Sequence, residues 1–257
     1  MKKILLLIFL IFTPIILLTS CGEVKTYECG DFLYTIIEEN GEKMAAIINL
    51  TDYASENKEV IIIPEYLDGY KVYGLNDKGR KQHRGFIDGL STAKIYITHN
   101  IKYDDDSIHG EKVFFIGDGV TDDVLNGSLT CNCYVPSNVK IVNEEDNVIA
   151  YSNWDILCYA NVGYYVDDYI YWIDDYDESL IKYPPTDPVK EGYTFDGWYK
   201  DSEYNEKWDF SKDMVLKKDI TTIVGRFHKE DYTYYYKETK LFAKFIYSWL
   251  HILLVDF

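Results

Sequence analysis

The sequence predicts a mainly β protein: a short solenoid of parallel strands followed by a small β module with an aromatic core. Three observations predict it. Four strand-forming triplets recur between residues 61 and 135, each followed by Pro, Thr or Gly. The pair Pro184-Pro185 then interrupts regular structure. Beyond it, residues 192–210 read GYTFDGWYKDSEYNEKWDF, with seven aromatic side chains. A module of this size has little interior, so a few large rings must supply most of its burial.

The chain opens MKKILLLIFLIFTPIILLTSCGE. Two lysines precede an apolar run from Ile4 to Leu18, the length of a signal peptide and short for a membrane span. The run ends in Leu18-Thr19-Ser20-Cys21, which resembles the lipobox of bacterial lipoproteins. That resemblance implies removal of residues 1–20, acylation of Cys21, and a membrane partner held through the lipid anchor. It places the chain on the extracellular face of the cytoplasmic membrane and fits a Gram-positive cell surface. Two acyl chains on one residue anchor stably without help from protein charge.

Charge indeed gives no help. The net charge is −17, and it becomes −19 once the two lysines of residues 1–20 are gone. Such a surface repels nucleic acid and anionic head groups, which excludes nucleic-acid partners and favours solubility. Beyond Cys21 there are Cys29, Cys131, Cys133 and Cys158, with no CxxC. Cys131 and Cys133 fall on one strand face, a poor geometry for bonding each other, so buried free thiols are expected.

Residues 21–57 read as an N-terminal hairpin and cap, turning at Asn40-Gly41. Residues 58–145 carry the repeat. Its triplets start at Ile61, Ile95, Phe114 and Cys133, at intervals of 34, 19 and 19. A fixed short period implies a solenoid in which each unit adds one parallel strand, and a missing or distorted unit is expected in the long interval. Alternation then stacks Ile61 and Ile63, Ile95 and Ile97, Phe114 and Ile116, and Cys133 and Val135 in the interior. The opening unit, with Ile63-Pro64, Asp68 and Gly69-Tyr70-Lys71-Val72, resembles BspA-type leucine-rich repeat proteins. That resemblance spans residues 31–145 and is degenerate past residue 75. It implies a leucine-rich-repeat solenoid serving as an extracellular recognition surface.

Residues 146–180 form a connecting segment rich in tyrosine, tryptophan and aspartate, with YIYWI predicted to close the solenoid or to pair with the more C-terminal chain. Asp167, Asp168, Asp174, Asp175 and Asp177 do not fall in a DxDxDG spacing, so a solvated acidic rim is expected and no metal.

Residues 181–245 carry Lys190-Glu191-Gly192-Tyr193, Phe195, Gly197-Trp198-Tyr199, Trp208-Asp209-Phe210 and Leu241-Phe242-Ala243-Lys244-Phe245. This order resembles the internalin B-repeat, a small extracellular module, and implies a β-grasp-like fold. The connection over residues 214–237 is longer than the family's, and Phe245 stands where the family closes on tryptophan. Phe195, Trp198, Trp208 and Phe210 are predicted to be core, with Gly197 supplying a bulge. The hydrophobic tail, residues 246–257, is too short to span a bilayer and is expected to be buried.

GxSxG, HExxH, Walker and GxGxxG motifs are all missing, and the five histidines are scattered. The sequence therefore predicts no cofactor, no catalytic residue and a non-catalytic surface protein that binds a protein or glycan. A structural spacer of the cell envelope is the alternative, and a surface hydrolase the second.

Overall fold

A computed structural model describes residues 25–75, 93–103, 112–121, 124, 132–139, 156–216 and 238–248. The signal segment, Cys21, Cys131 and residues 249–257 lie outside them. The described chain is mainly β, arranged as three sheets stacked in layers.

The first layer begins with β1 (Tyr27–Cys29), β2 (Phe32–Glu39) and β3 (Glu42–Leu50). The β2–β3 hairpin turns at Asn40 and Gly41, with φ of 52° and 83°. Both angles are positive, as a two-residue turn of matched twist requires. Helix α1 (Asp52–Asn57) follows, capped by the Thr51 hydroxyl accepting from the Ala54 N–H at 3.3 Å. Strands β5 (Tyr66–Leu67), β6 (Tyr70–Leu75) and β8 (Lys102–Tyr103) complete this sheet, in which β3, β6 and β8 run parallel.

The middle layer holds the four triplets. Strands β4 (Val60–Ile62), β7 (Lys94–Ile97), β9 (Lys112–Phe115), β10 (Asn132–Val135) and β11 (Ile156–Tyr159) form one wholly parallel sheet. Ile61 pairs with Ile95, as the spacing predicts. β4 bonds directly to β7, so among the described residues no strand of this sheet lies between them; β5 and β6 belong to the first layer. The third unit is shifted by one residue from the sequence expectation. Ile95 and Cys133 both align with Val113, not with Phe114. A slip of one residue exchanges the faces. Val113 and Phe115 therefore join Ile61, Ile63, Ile95, Ile97, Cys133 and Val135 in the core shared with the first layer. Phe114 and Ile116 point the other way, with Tyr96. Below the turn after β9, Gly119 lies so close to the previous coil that a Cβ would meet the Ile97 carbonyl oxygen at 2.2 Å. Close coil stacking needs glycine there.

The third layer is a mixed sheet of β13 (Tyr169–Asp174), β12 (Val162–Val166), β15 (Thr239–Tyr247) and β14 (Tyr193–Tyr199), in that order. Its central pair, β12 and β15, is parallel, and both outer pairs are antiparallel. The acidic, aromatic segment contributes to two sheets, but YIYWI itself is β13 and pairs with β12 alone, not with the later chain. β11 extends the solenoid sheet, and the β12–β13 hairpin joins the C-terminal chain through β15. Gly197, at φ 146°, sits at a bulge between Phe195 and Trp198. The bulge turns Trp198 into a core with Tyr164, Val162, Trp208, Leu241 and Ala243. Phe195, Phe210 and Phe245 pack half-buried around it. Trp208 and Phe210 lie outside the named strands, and the Trp208 N–H donates to the Trp198 carbonyl at 2.8 Å. The tail begins inside β15, where Ile246 and Tyr247 are exposed rather than buried.

Truncating Trp198, which is buried between Tyr164 and Phe195, is expected to cost about 3–5 kcal/mol. Urea unfolding of Trp198→Ala against the parent measures it, and a loss below about 1 kcal/mol would show that the ring is not core.

Candidate functional site

The outward face of the middle sheet is where a solenoid would meet a partner. Its side chains are Tyr96, Phe114 and Tyr134, one per coil, and they form a continuous stack. Ring centroids are 4.7 Å apart for Tyr96 and Phe114, and 4.9 Å for Phe114 and Tyr134. The column does not face solvent. Trp172 of β13 stacks on Tyr96 at 4.5 Å, and Ile170 and Ile173 pack beside it. The third layer therefore covers this aromatic column, while Ile62 at the β4 edge of the same face stays exposed.

Lysines head two of the coils at equivalent positions, Lys94 and Lys112. β13 ends on Asp174-Asp175, opposite them. Lys94 Nζ lies 2.5 Å from Asp174 Oδ1, and Lys112 Nζ lies 2.8 Å from Asp175 Oδ2. Asp174 is fully buried and the Lys94 side chain 14% exposed. These two aspartates are not part of a solvated rim; two lysines draw them inward. Lys94 Nζ also sits 3.6 Å from the Tyr176 ring centroid. Burial pushes the Lys94 amine down from its ordinary range, opposed by Asp174. Burial pushes the Asp174 carboxyl up, opposed by Lys94. The repeated lysine ahead of IYI and VFF was the signal in the sequence, and it gained meaning only with the Val113 register.

A second polar cluster joins the solenoid to β15. Tyr165 donates to Glu238 Oε1 at 2.7 Å, and the Ser137 hydroxyl lies 3.2 Å from both carboxylate oxygens. Glu238 is buried, with Lys240 Nζ 3.7 Å away. The hydroxyls here satisfy a carboxylate; no histidine stands by Ser137 among these partners. The described residues contain His99 alone of the five histidines. Burial holds it below its ordinary pKa, with Glu65 and Lys71 its charged neighbours. Among the described residues no group of acids, cysteines and histidines has the form of a metal site. Cys29 is a half-buried free thiol whose pKa is raised by Asp68 and by burial. Cys133 lies in the first core.

An exposed aromatic pair lies on the third layer. Tyr193 and Tyr247 are cross-strand partners on β14 and β15, with centroids 5.4 Å apart, and are 42% and 48% exposed. Lys190 Nζ lies 5.3 Å from both the Tyr193 and the Phe245 ring centroids. Ile62, Tyr53, Tyr66 and Tyr169 are exposed singly.

Comparison with known proteins gives a family match whose bounds take in Asp174 and all of β14. Residues 174–222 match the family model described as Flg_new: Listeria-Bacteroides repeat domain. Over 55 residues the chain is 47% identical to Internalin H of Listeria monocytogenes, covering 21% of this chain and 10% of that protein. A putative Gly-rich membrane protein of Evansella cellulosilytica is 38% identical over 71 residues, 26% of this chain and 8% of the relative. A putative membrane protein of the same organism is 35% identical over 81 residues, 28% and 11% respectively. The chain thus spans about a tenth of the length of the curated relatives it matches.

Burial and the Glu238 carboxylate hold the Tyr165 phenol up at about 12, against an ordinary 10.0. A raised folded-state pKa means the fold binds that proton more tightly than the unfolded chain does. The stabilisation is therefore complete below pH 10.0 and is lost as the pH rises through about 12. Urea midpoints across this range are expected to fall less steeply for Tyr165→Phe than for the parent; identical slopes would rule out the linkage.

Proposed function

We propose that the chain is a lipid-anchored protein of a bacterial cell surface that binds an extracellular protein or glycan and carries no catalysis. The match of residues 174–222 to a Listeria-Bacteroides repeat, together with a 55-residue likeness to Internalin H, carries this reading. The lipobox at Cys21 supplies the anchor. The parallel sheet is read as a degenerate leucine-rich-repeat solenoid. Its in-register ladder of Ile61, Ile95, Val113 and Cys133 supports this. The third layer is read as an internalin B-repeat-like, β-grasp-like module, supported by its mixed sheet and the Gly197 bulge. The proposed organisation is a cap over residues 21–57, repeats over 58–145, a connecting segment over 146–180, the module over 181–245 and the tail over 246–257.

Recognition is assigned to the exposed pair Tyr193 and Tyr247 with Lys190, since rings beside a cation stack on sugar or on apolar side chains. The spacer reading is the rival, and one observation favours it. The aromatic face of the solenoid is spent on an internal contact.

Residues 22–257 are to be applied to a glycan array and to a panel of extracellular-matrix proteins. A saturable hit is expected, lost in Tyr193→Ser/Tyr247→Ser while the unfolding midpoint stays put. Silence of the folded parent sinks recognition in favour of the spacer. In the bacterial host, the full chain is expected to partition with membranes and Cys21→Ser to be released; equal partitioning would remove the lipid anchor.

A further inference from the structure

We propose that Lys94 and Asp174 are joined by a side-chain amide bond, an intramolecular isopeptide that welds the solenoid sheet to β13. The nucleophile is in place, with Nζ 2.5 Å from Oδ1. Water is excluded. Asp174 is fully buried, Tyr176 covers the amine at 3.6 Å, and the Phe114 ring centroid lies 5.9 Å from it. In such a site the reverse hydrolysis lacks its reactant.

The carboxyl is held asymmetrically. Oδ1 receives Lys94 Nζ and also the Asp175 N–H at 2.7 Å. Oδ2 is buried with no hydrogen-bond partner. An ionised carboxylate with an orphaned oxygen is costly in an apolar setting. Condensation removes that oxygen and replaces two buried ionisable groups by one neutral amide. The Asp175 N–H already points at the oxygen on which negative charge develops in a tetrahedral adduct. Burial favours the neutral amine and the neutral acid, the two forms that react.

The step balances without any co-reactant. The Lys94 Nζ lone pair forms a bond to Asp174 Cγ. The adduct's nitrogen then loses one proton, which passes to Oδ2. The Cγ–Oδ2 bond breaks with its electron pair, and Oδ2 leaves as water carrying that proton and the acid's own. Oδ1 becomes the amide carbonyl. Phenols surround the acid: the Tyr96 hydroxyl interacts with Asp174, and the buried Tyr164 hydroxyl near it has no partner. Burial raises the pKa of both phenols, so they stay protonated. Lys112 and Asp175, one coil along, are the internal control. The Lys112 side chain is 29% exposed, which leaves its ammonium hydrated, and this pair stays ionic.

Intact mass spectrometry of the purified chain, unfolded in acid, tests the bond directly. The expected mass is one water below that of the sequence. Tryptic mapping is expected to show no cleavage after Lys94 and one branched peptide joining it to Asp174. Lys94→Arg keeps the charge but forms no amide, and is expected to restore the sequence mass. Lys112→Arg is expected to retain the loss. A parent chain at full sequence mass, with cleavage after Lys94, overturns the proposal and leaves an ordinary buried ion pair. A branch at Lys112 instead overturns the assignment of residues. The parent spectrum decides even where a variant fails to fold.

Discussion

The contact between the aromatic column of the parallel sheet and the inner face of β13 is the constraint on which the remaining structure depends. A parallel sheet with both faces apolar must be covered on both. The first layer covers one face through Ile47, Val72 and Leu75. The other carries Tyr96 and Phe114, whose exposure would leave a large apolar patch. Trp172, Ile173 and Ile170 close it. The mixed sheet, the Trp198 core and the exposed pair on β14 and β15 are all carried on a strand that is docked here.

Apolar packing alone does not fix where a strand sits along a stack of similar rings. Lys94 and Lys112 do. They lie on neighbouring strands in register, and Asp174 and Asp175 meet one each. Sliding β13 by a residue would bury Asp174 against rings and leave an amine uncompensated, a large penalty compared with the cost of mismatched apolar contacts. The charges thus specify register, and the rings supply burial. The same division recurs at Glu238, which ties the turn after β10 to the start of β15 through Ser137 and Tyr165.

How much of this was legible in the sequence depends on where alternation survives. Asn40-Gly41 announces its turn because few residues tolerate two positive φ angles. Gly197 announces its bulge for a related reason. Ile95 and Ile97 give the right register because Lys94, Tyr96 and Thr98 beside them are more polar. The run Val113-Phe114-Phe115-Ile116 is apolar at four successive positions, and both of its faces are buried. Period two is silent there, so the third unit is misread by one residue. Asp174 and Asp175 are misread as rim because local composition cannot see two lysines some sixty to eighty positions earlier. The parallel pairing of β12 with β15 is equally non-local.

The covered column also changes how recognition must be argued. A solenoid that offers its strands' outer face to a partner needs that face free, and here it is filled by the chain's own β13. Any partner must then bind elsewhere, and the third layer offers Tyr193 and Tyr247 on its β14–β15 side, with Lys190 beside them. The side of the module that docks and the side that displays are different strands of one four-stranded sheet. Binding applied at β14 passes through β15 and β12 to β13, and the Ser137–Glu238 contact gives β15 a second link to the middle sheet. The contact of Lys94 with Asp174 stands at the end of that path, where its strength decides whether the layers move as one body.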